Sequence, residues 1–251
     1  MARIIAVTNQ KGGVGKTTTA LSLIGALHER GEAVLGVDLD PQGSLGFSAG
    51  LDIENLVAID EVFKGRCAVE EAIVETDVGD ILPSNILLST AELELNTPGR
   101  EFLLRDALRR VDRSYDYIII DTPPALNILT FNAYVAARQL IIPMAPEILS
   151  LLGISQIRDT VETVRRYYNP ELEVLGILLN RYSSRLVLNR EVEEMSQDIA
   201  GRLGTRVFQS KIRTSVSVAE SPAHGESVIT YAPESKPALD FRALLDEILR
   251  Y

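Results

Sequence analysis

Gln10-Lys11-Gly12-Gly13-Val14-Gly15-Lys16-Thr17-Thr18 decides the reading of this chain. Before it stand Ile4-Ile5-Ala6-Val7-Thr8, largely apolar and β-branched, which read as a strand. After it stand Ala20-Leu21-Ser22-Leu23-Ile24-Gly25-Ala26-Leu27, which read as a helix. A glycine-rich turn between a strand and a helix is the setting of a phosphate-binding loop. Gly12, Gly13 and Gly15 let the backbone, with Val14 between them, turn successive N–H groups onto one anion. The helix that opens at Lys16, Thr17 and Thr18 adds the positive end of its dipole. Lys16 offers a point charge to the β- and γ-phosphates of a nucleotide, and the Thr17 hydroxyl is placed to ligate Mg²⁺.

The loop departs from the usual GxxxxGK[ST] pattern. Gln10 stands where the first glycine belongs, and a second lysine, Lys11, heads the loop. Two lysines around Gly-Gly-Val-Gly exceed what one nucleotide needs from one chain. Lys11 therefore reads as reaching the nucleotide of a facing subunit, which implies a dimer.

Working outward, strand signals recur at residues 4–8, 33–37, 117–120, 139–142 and 174–179, too far apart for hairpins. Helical stretches at 17–30, 101–111, 127–137, 150–168 and 186–203 separate them. A last helix over 236–250 places Leu239, Leu244, Leu245 and Ile248 on one face. Residues 51–100 read as short helices with a strand near 79–82. Strands alternating with helices predict an α/β chain: a P-loop NTPase fold with a mostly parallel twisted sheet covered on both faces. No linker divides the 251 residues, so a single domain is expected.

Composition narrows the classes. Net charge is −10, against whole-surface attraction to nucleic acid. Residues 181–213, however, carry seven Arg and Lys against four acids, a local +3 that leaves −13 on the remainder. That zone is compatible with DNA binding through one face, or with an ordinary solvated helix surface. No apolar run reaches the roughly 20 residues of a membrane span. The strand at the start leaves no room for a signal peptide, and the expected location is the cytoplasm. Cys67 is the single cysteine, which excludes disulfides and cysteine-held clusters within the chain.

Ligands of open parallel sheets bind at the carboxyl ends of the strands. Asp38 and Asp40 follow the strand at 33–37, two residues apart and so on one side of an extended chain. They suit a Mg-nucleotide, holding metal waters or orienting an attacking water. Asp121 closes Tyr117-Ile118-Ile119-Ile120, an aspartate at a strand tip near Mg²⁺. The predicted metal set is Thr17, Asp40 and Asp121. Thr122-Pro123-Pro124 then forms a stiff turn. Asn180 ends the strand at 174–179, and its amide can donate to and accept from the edge of adenine. His224 has no second ligand and reads as structural, and His28 as a surface residue.

The loop at 11–18 resembles the deviant Walker A of the ParA/MinD superfamily. Val37-Asp38-Leu39-Asp40-Pro41-Gln42-Gly43, Asp121-Thr122-Pro123-Pro124 and Ala219-Glu220-Ser221-Pro222-Ala223-His224-Gly225 resemble the ParA/Soj-type partition ATPases, so the likeness covers most of the chain. The resemblance implies ATP and ADP with Mg²⁺, hydrolysis to ADP, and a homodimer in ATP. It implies nonspecific DNA binding on the nucleoid and a ParB-like stimulating partner, in the segregation of a plasmid, chromosome or mobile element. Lys11, Lys16 and Asp40 become the catalytic set, with Asp40 positioning water and Asp38 in support beside the nucleotide. Pro123 falls in the loop that senses the γ-phosphate. Asn180 becomes an adenine contact, with Lys211, Ile212 and Arg213 lining the other side of the base. Glu147 joins Lys11 near the dimer interface. DNA contacts map to Arg185 and, less regularly, to Lys211 and Arg213, because Thr214 and Ser217 stand where arginines are usual. The alternative within the superfamily is a MinD-like membrane-associated or a cargo-positioning ATPase. Against the membrane, the tail 240–251 carries three acids and two basic residues rather than a basic amphipathic face.

Overall fold

Six short strands carry the structure: β1 (Arg3–Val7), β2 (Val34–Asp38), β3 (Asp80–Leu82), β4 (Tyr117–Asp121), β5 (Gln139–Met144) and β6 (Glu173–Leu179). The computed structural model describes residues 1–94, 98–183 and 187–251, with side chains omitted at 91–94, 148–155 and 187–190. The strands form one sheet in the order β3-β2-β4-β1-β5-β6, and every ladder between them is parallel. Their nearly continuous apolar runs follow from cover on both faces.

The helices are α1 (Lys16–Glu29), α2 (Ser44–Ser48), α3 (Ile59–Phe63), α4 (Val69–Ala72), α5 (Leu87–Glu94) and α6 (Leu103–Leu108). They continue as α7 (Ile128–Ala136), α8 (Ile148–Tyr167), α9 (Val187–Arg202), α10 (Val216–Glu220), α11 (Val228–Tyr231) and α12 (Lys236–Ile248). Alternate residues of each strand face opposite ways, so two cores form. Ile5, Val7, Val34 and Ile119 pack under α1, α11 and α12. Ala6, Leu35, Val37, Ile118 and Ile120 pack under α3, α6, α7, α8 and α9.

Register fixes the site. Val7 of β1 and Asp38 of β2 both stand opposite Asp121 of β4. The loops after three neighbouring strands therefore leave the sheet at one level, with the loop after Asp121 in the middle and the phosphate loop beside it.

Three expectations shift. The strand expected at 139–142 runs on through Pro143, whose carbonyl accepts a hydrogen bond from Asn9 Nδ2 at 2.8 Å. The helix expected at 101–111 is a 3₁₀ turn, Arg100–Phe102, leading into α6; Gly99, at φ +88°, opens the turn. In α12, Leu239 is 49 % exposed, and Phe241 takes the inward place with Leu244, Leu245 and Ile248. The tail is thus a core helix. Among the described residues no helix is long and apolar enough to cross a membrane.

Candidate nucleotide-binding site

The phosphate loop is tied down at both ends. At its start, the Asn9 side chain bonds to the Pro143 carbonyl and accepts the Lys11 N–H at 2.9 Å. Asn9 was missed by sequence reasoning, although an asparagine at a strand-to-loop junction is a recognised turn signal. Further along, Gly13 (φ +73°) and Gly15 (φ +89°) occupy the left-handed region that favours glycine. Gly15 caps α1 without any side-chain hydrogen bond, which leaves the first-turn N–H groups to an anion.

Lys16 is buried beside this turn, and its Nζ donates to the Lys11 carbonyl at 3.2 Å. Burial pulls its pKa down, while Asp121 and Asp40 act in the opposite sense. Thr17 Oγ1 donates to Asp121 Oδ2 at 2.6 Å. Asp121 Oδ1 is buried and has no hydrogen-bond partner. Burial pushes the Asp121 carboxyl up to about 7, against the Thr17 hydrogen bond and the Lys16 charge. An orphaned carboxylate oxygen beside a hydroxyl, facing an anion cradle, fits Mg²⁺, which prefers oxygen ligands and keeps several waters. Among the described residues no group of three or more His, Cys, Asp or Glu forms a metal cage. A cation here would therefore take the rest of its shell from phosphate and water.

Asp40 and Asp38 separate into different roles. Asp40 is half-buried, accepts the Gln42 N–H at 3.1 Å, and lies near enough to Lys16 and Asp121 to act on both. Asp38 is fully buried, with Oδ1 on the Asp40 N–H (3.0 Å) and Oδ2 on the Leu45 (2.8 Å) and Gly46 (3.3 Å) N–H groups. Burial, then the charge of Asp121, holds its carboxyl well above the usual range. Asp38, expected in support beside the nucleotide, spends its oxygens on the backbone that presents Asp40. On the next strand, Thr122 Oγ1 donates to the Val7 carbonyl at 3.0 Å, Pro123 is buried and Pro124 exposed.

Asn180 Nδ2 donates to the Val14 carbonyl at 3.0 Å, and Oδ1 accepts the Arg181 N–H at 3.0 Å. A Cβ added at Gly15 would fall 2.1 Å from Asn180 Nδ2. Asn180, expected as an adenine contact, also braces the phosphate loop. Ile212, expected beside the base, turns its side chain into the core, 1 % exposed. Lys211 pairs with Glu193 and lies 4.6 Å from the Tyr182 ring. Arg213 grips Asp240 through Nε (2.8 Å) and Nη2 (2.5 Å). Both cations expected on a base or on DNA are neutralised within the chain. Arg185 lies outside the described residues. Lys11 and Glu147, expected near one interface, form an ion pair with each other.

The His224 segment stands apart from the phosphates. His224 stacks on Tyr231 at 4.9 Å, and Gly225 packs on Gly50, both in left-handed conformation. This contact supports the end of α2, just beyond the Asp40 turn, which agrees with a structural role.

Comparison with known proteins matches residues 2–174 to a family described as an AAA domain. Chromosome partitioning protein ParA of Myxococcus xanthus is 38 % identical over 254 residues, covering 100 % of this chain and 89 % of the relative. The sporulation initiation inhibitor protein Soj of Bacillus subtilis is 39 % identical over 254 residues, covering 99 % and 98 %. A solved structure named cobyrinic acid a,c-diamide synthase from Mycobacterium smegmatis, with bound ADP and magnesium, superposes with a TM-score of 0.87 at 40 % identity, covering 100 % of this chain and 95 % of that one. With the phosphate loop, the all-parallel sheet and full-length relatives in agreement, the chain belongs to the ParA/MinD family of P-loop ATPases.

Proposed function

We propose that the chain is a nucleotide-controlled switch that binds ATP with Mg²⁺, dimerises in that state and holds DNA nonspecifically until hydrolysis to ADP releases it. The placement of the two lysines carries the reading: Lys16 lies inside the cradle, while the Lys11 ammonium lies outside at its mouth, on Glu147. In the dimer, Lys11 of each chain reaches the triphosphate held by the other. Charge neutralisation across the interface then couples ATP occupancy to association. Within each site Lys16 neutralises the β- and γ-phosphates, and Thr17 and Asp121 would hold Mg²⁺, which would supply further charge stabilisation. Asp40, on its braced turn, orients the attacking water. The 251 residues act as one unit, in the cytoplasm and on the nucleoid, with a ParB-like partner that accelerates hydrolysis. The service is partition of a chromosome, plasmid or integrated element. Two chains together double the number of available phosphate contacts, which strengthens a counterion-dependent affinity steeply.

Two other readings receive less support. A MinD-like membrane switch needs an apolar helix face to spare, and α12 spends Phe241, Leu244, Leu245 and Ile248 on the core. An amide-forming synthase needs a nitrogen source, and freeing ammonia from an amide calls for an activated nucleophile such as a thiolate. Cys67 is the single thiol, and burial followed by Glu71, Glu61 and Asp60 pushes its pKa up. The test is DNA retention measured with ATP, with ADP and without nucleotide over a range of salt. Retention specific to ATP and falling steeply with salt is expected. Retention indifferent to nucleotide would refute the switch.

A further inference from the structure

Lys11 and Glu147 stand 136 residues apart in sequence, yet their side chains meet. The route is short in space. Lys11 heads the loop that follows β1, and Glu147 comes three residues after β5, the strand paired with β1. Asn9 links the two by bonding both the Lys11 N–H and the Pro143 carbonyl. Glu147 is the residue that opens α8, and its N–H bonds to the Ala145 carbonyl at 2.8 Å. The pair therefore closes the mouth of the phosphate cradle from the β5 side, while Lys16 holds the Lys11 carbonyl from within. An ammonium seated on a carboxylate of its own chain is not available to a facing triphosphate.

We propose that Glu147 is an in-chain latch on Lys11: it holds the lysine in the separate chain and must release it before two chains can close around ATP. This rests on the dimer reading given above. Glu147 is a positioning residue here, acting on the nucleotide through Lys11. It makes each chain's readiness to associate a competition between one carboxylate and the partner's phosphates. The phosphates carry more charge, so the latch yields only when the facing cradle is filled. The side chains are 35 % and 57 % exposed, so water screens the pair. An exposed ion pair of this kind shifts an equilibrium by about two- to five-fold. A dimer opens two latches, and the effect on association is squared, to about four- to twenty-five-fold.

The test uses the full chain and Glu147→Gln, with Glu147→Asp as the conservative variant. Sedimentation gives the dimer dissociation constant in a non-hydrolysable ATP analogue. Separately, ¹³C-methylated lysine NMR of the nucleotide-free chain, assigned with Lys11→Arg, reads the latch without any dimer. The expected result is tighter association for Glu147→Gln, a moved Lys11 signal, and values close to wild type for Glu147→Asp. Unchanged association and an unmoved signal would make Glu147 a surface acid and overturn the latch. Weaker association would make it an attractive contact across the interface, which also overturns it. If the Lys11 signal moves but wild type never dimerises in the analogue, the ion pair stands, the dimer reading fails, and the latch loses its purpose.

Discussion

The Thr17 hydroxyl donates to Asp121 Oδ2 at 2.6 Å, while Oδ1 of the same carboxylate is buried with no hydrogen-bond partner. One oxygen is thus oriented by the Thr17 hydroxyl, while the other makes no hydrogen bond. Burial holds this carboxyl at about 7 where 3.8 is ordinary. The folded chain keeps the proton to higher pH than the unfolded chain does. Stability from this group therefore falls as pH rises from about 4 to 7 and levels off above. Binding Mg²⁺ with nucleotide displaces the proton, so affinity should rise between about pH 6 and 8 with release of up to about one proton. Calorimetry in two buffers of different ionisation heat reads the proton directly. Asp121→Asn should abolish the release, and a wild type that releases none at pH 6.5 would contradict the assignment.

Gly15→Ala should disable the loop. The new methyl would need a left-handed backbone at φ +89° and would meet the Asn180 amide at 2.1 Å. The conformation alone costs roughly 1–2 kcal/mol, and displacing Asn180 adds to it. Nucleotide affinity, followed with a fluorescent ATP analogue, should fall more than about tenfold. Affinity within twofold of wild type would show that Asn180 does not set the shape of the loop.

Glu193→Gln should strengthen DNA retention in ATP. Lys211 is neutralised by Glu193, whose carboxylate also accepts the Tyr182 hydroxyl at 2.8 Å. Freeing the ammonium offers one more phosphate contact, which would steepen the slope of log affinity against log salt by about 1. An unchanged slope would place the DNA face away from Lys211.

Phe241→Ala tests the tail. The ring is fully buried under the sheet, so truncation should cost about 3–5 kcal/mol and lower Tm by roughly 10 °C. A helix destined for a membrane surface would tolerate the change with Tm intact.

Much of this was legible in the residues. The phosphate loop, Asp121 and the six strands announce themselves through local pattern: glycines, β-branched runs and acids at strand tips. What stayed hidden depends on pairs that no local pattern reports. Glu193 and Lys211 are 18 positions apart, and Asp240 and Arg213 are 27 apart. Both basic residues looked available because their partners sit on other elements. Asn180 reads as a base contact because an amide suits adenine, and no local pattern reports that the same amide reaches the Val14 carbonyl 166 positions earlier. Leu239 was a different kind of miss. The spacing of 241, 244, 245 and 248 is itself helical, and 239 falls off that stripe.

Sedimentation of wild type and Lys11→Ala, each saturated with a non-hydrolysable ATP analogue, tests the central claim most directly. The wild-type chain of 27.6 kDa should run at twice its mass, and Lys11→Ala should bind the analogue yet remain a single chain. A Lys11→Ala protein that dimerises as readily as wild type would contradict the account.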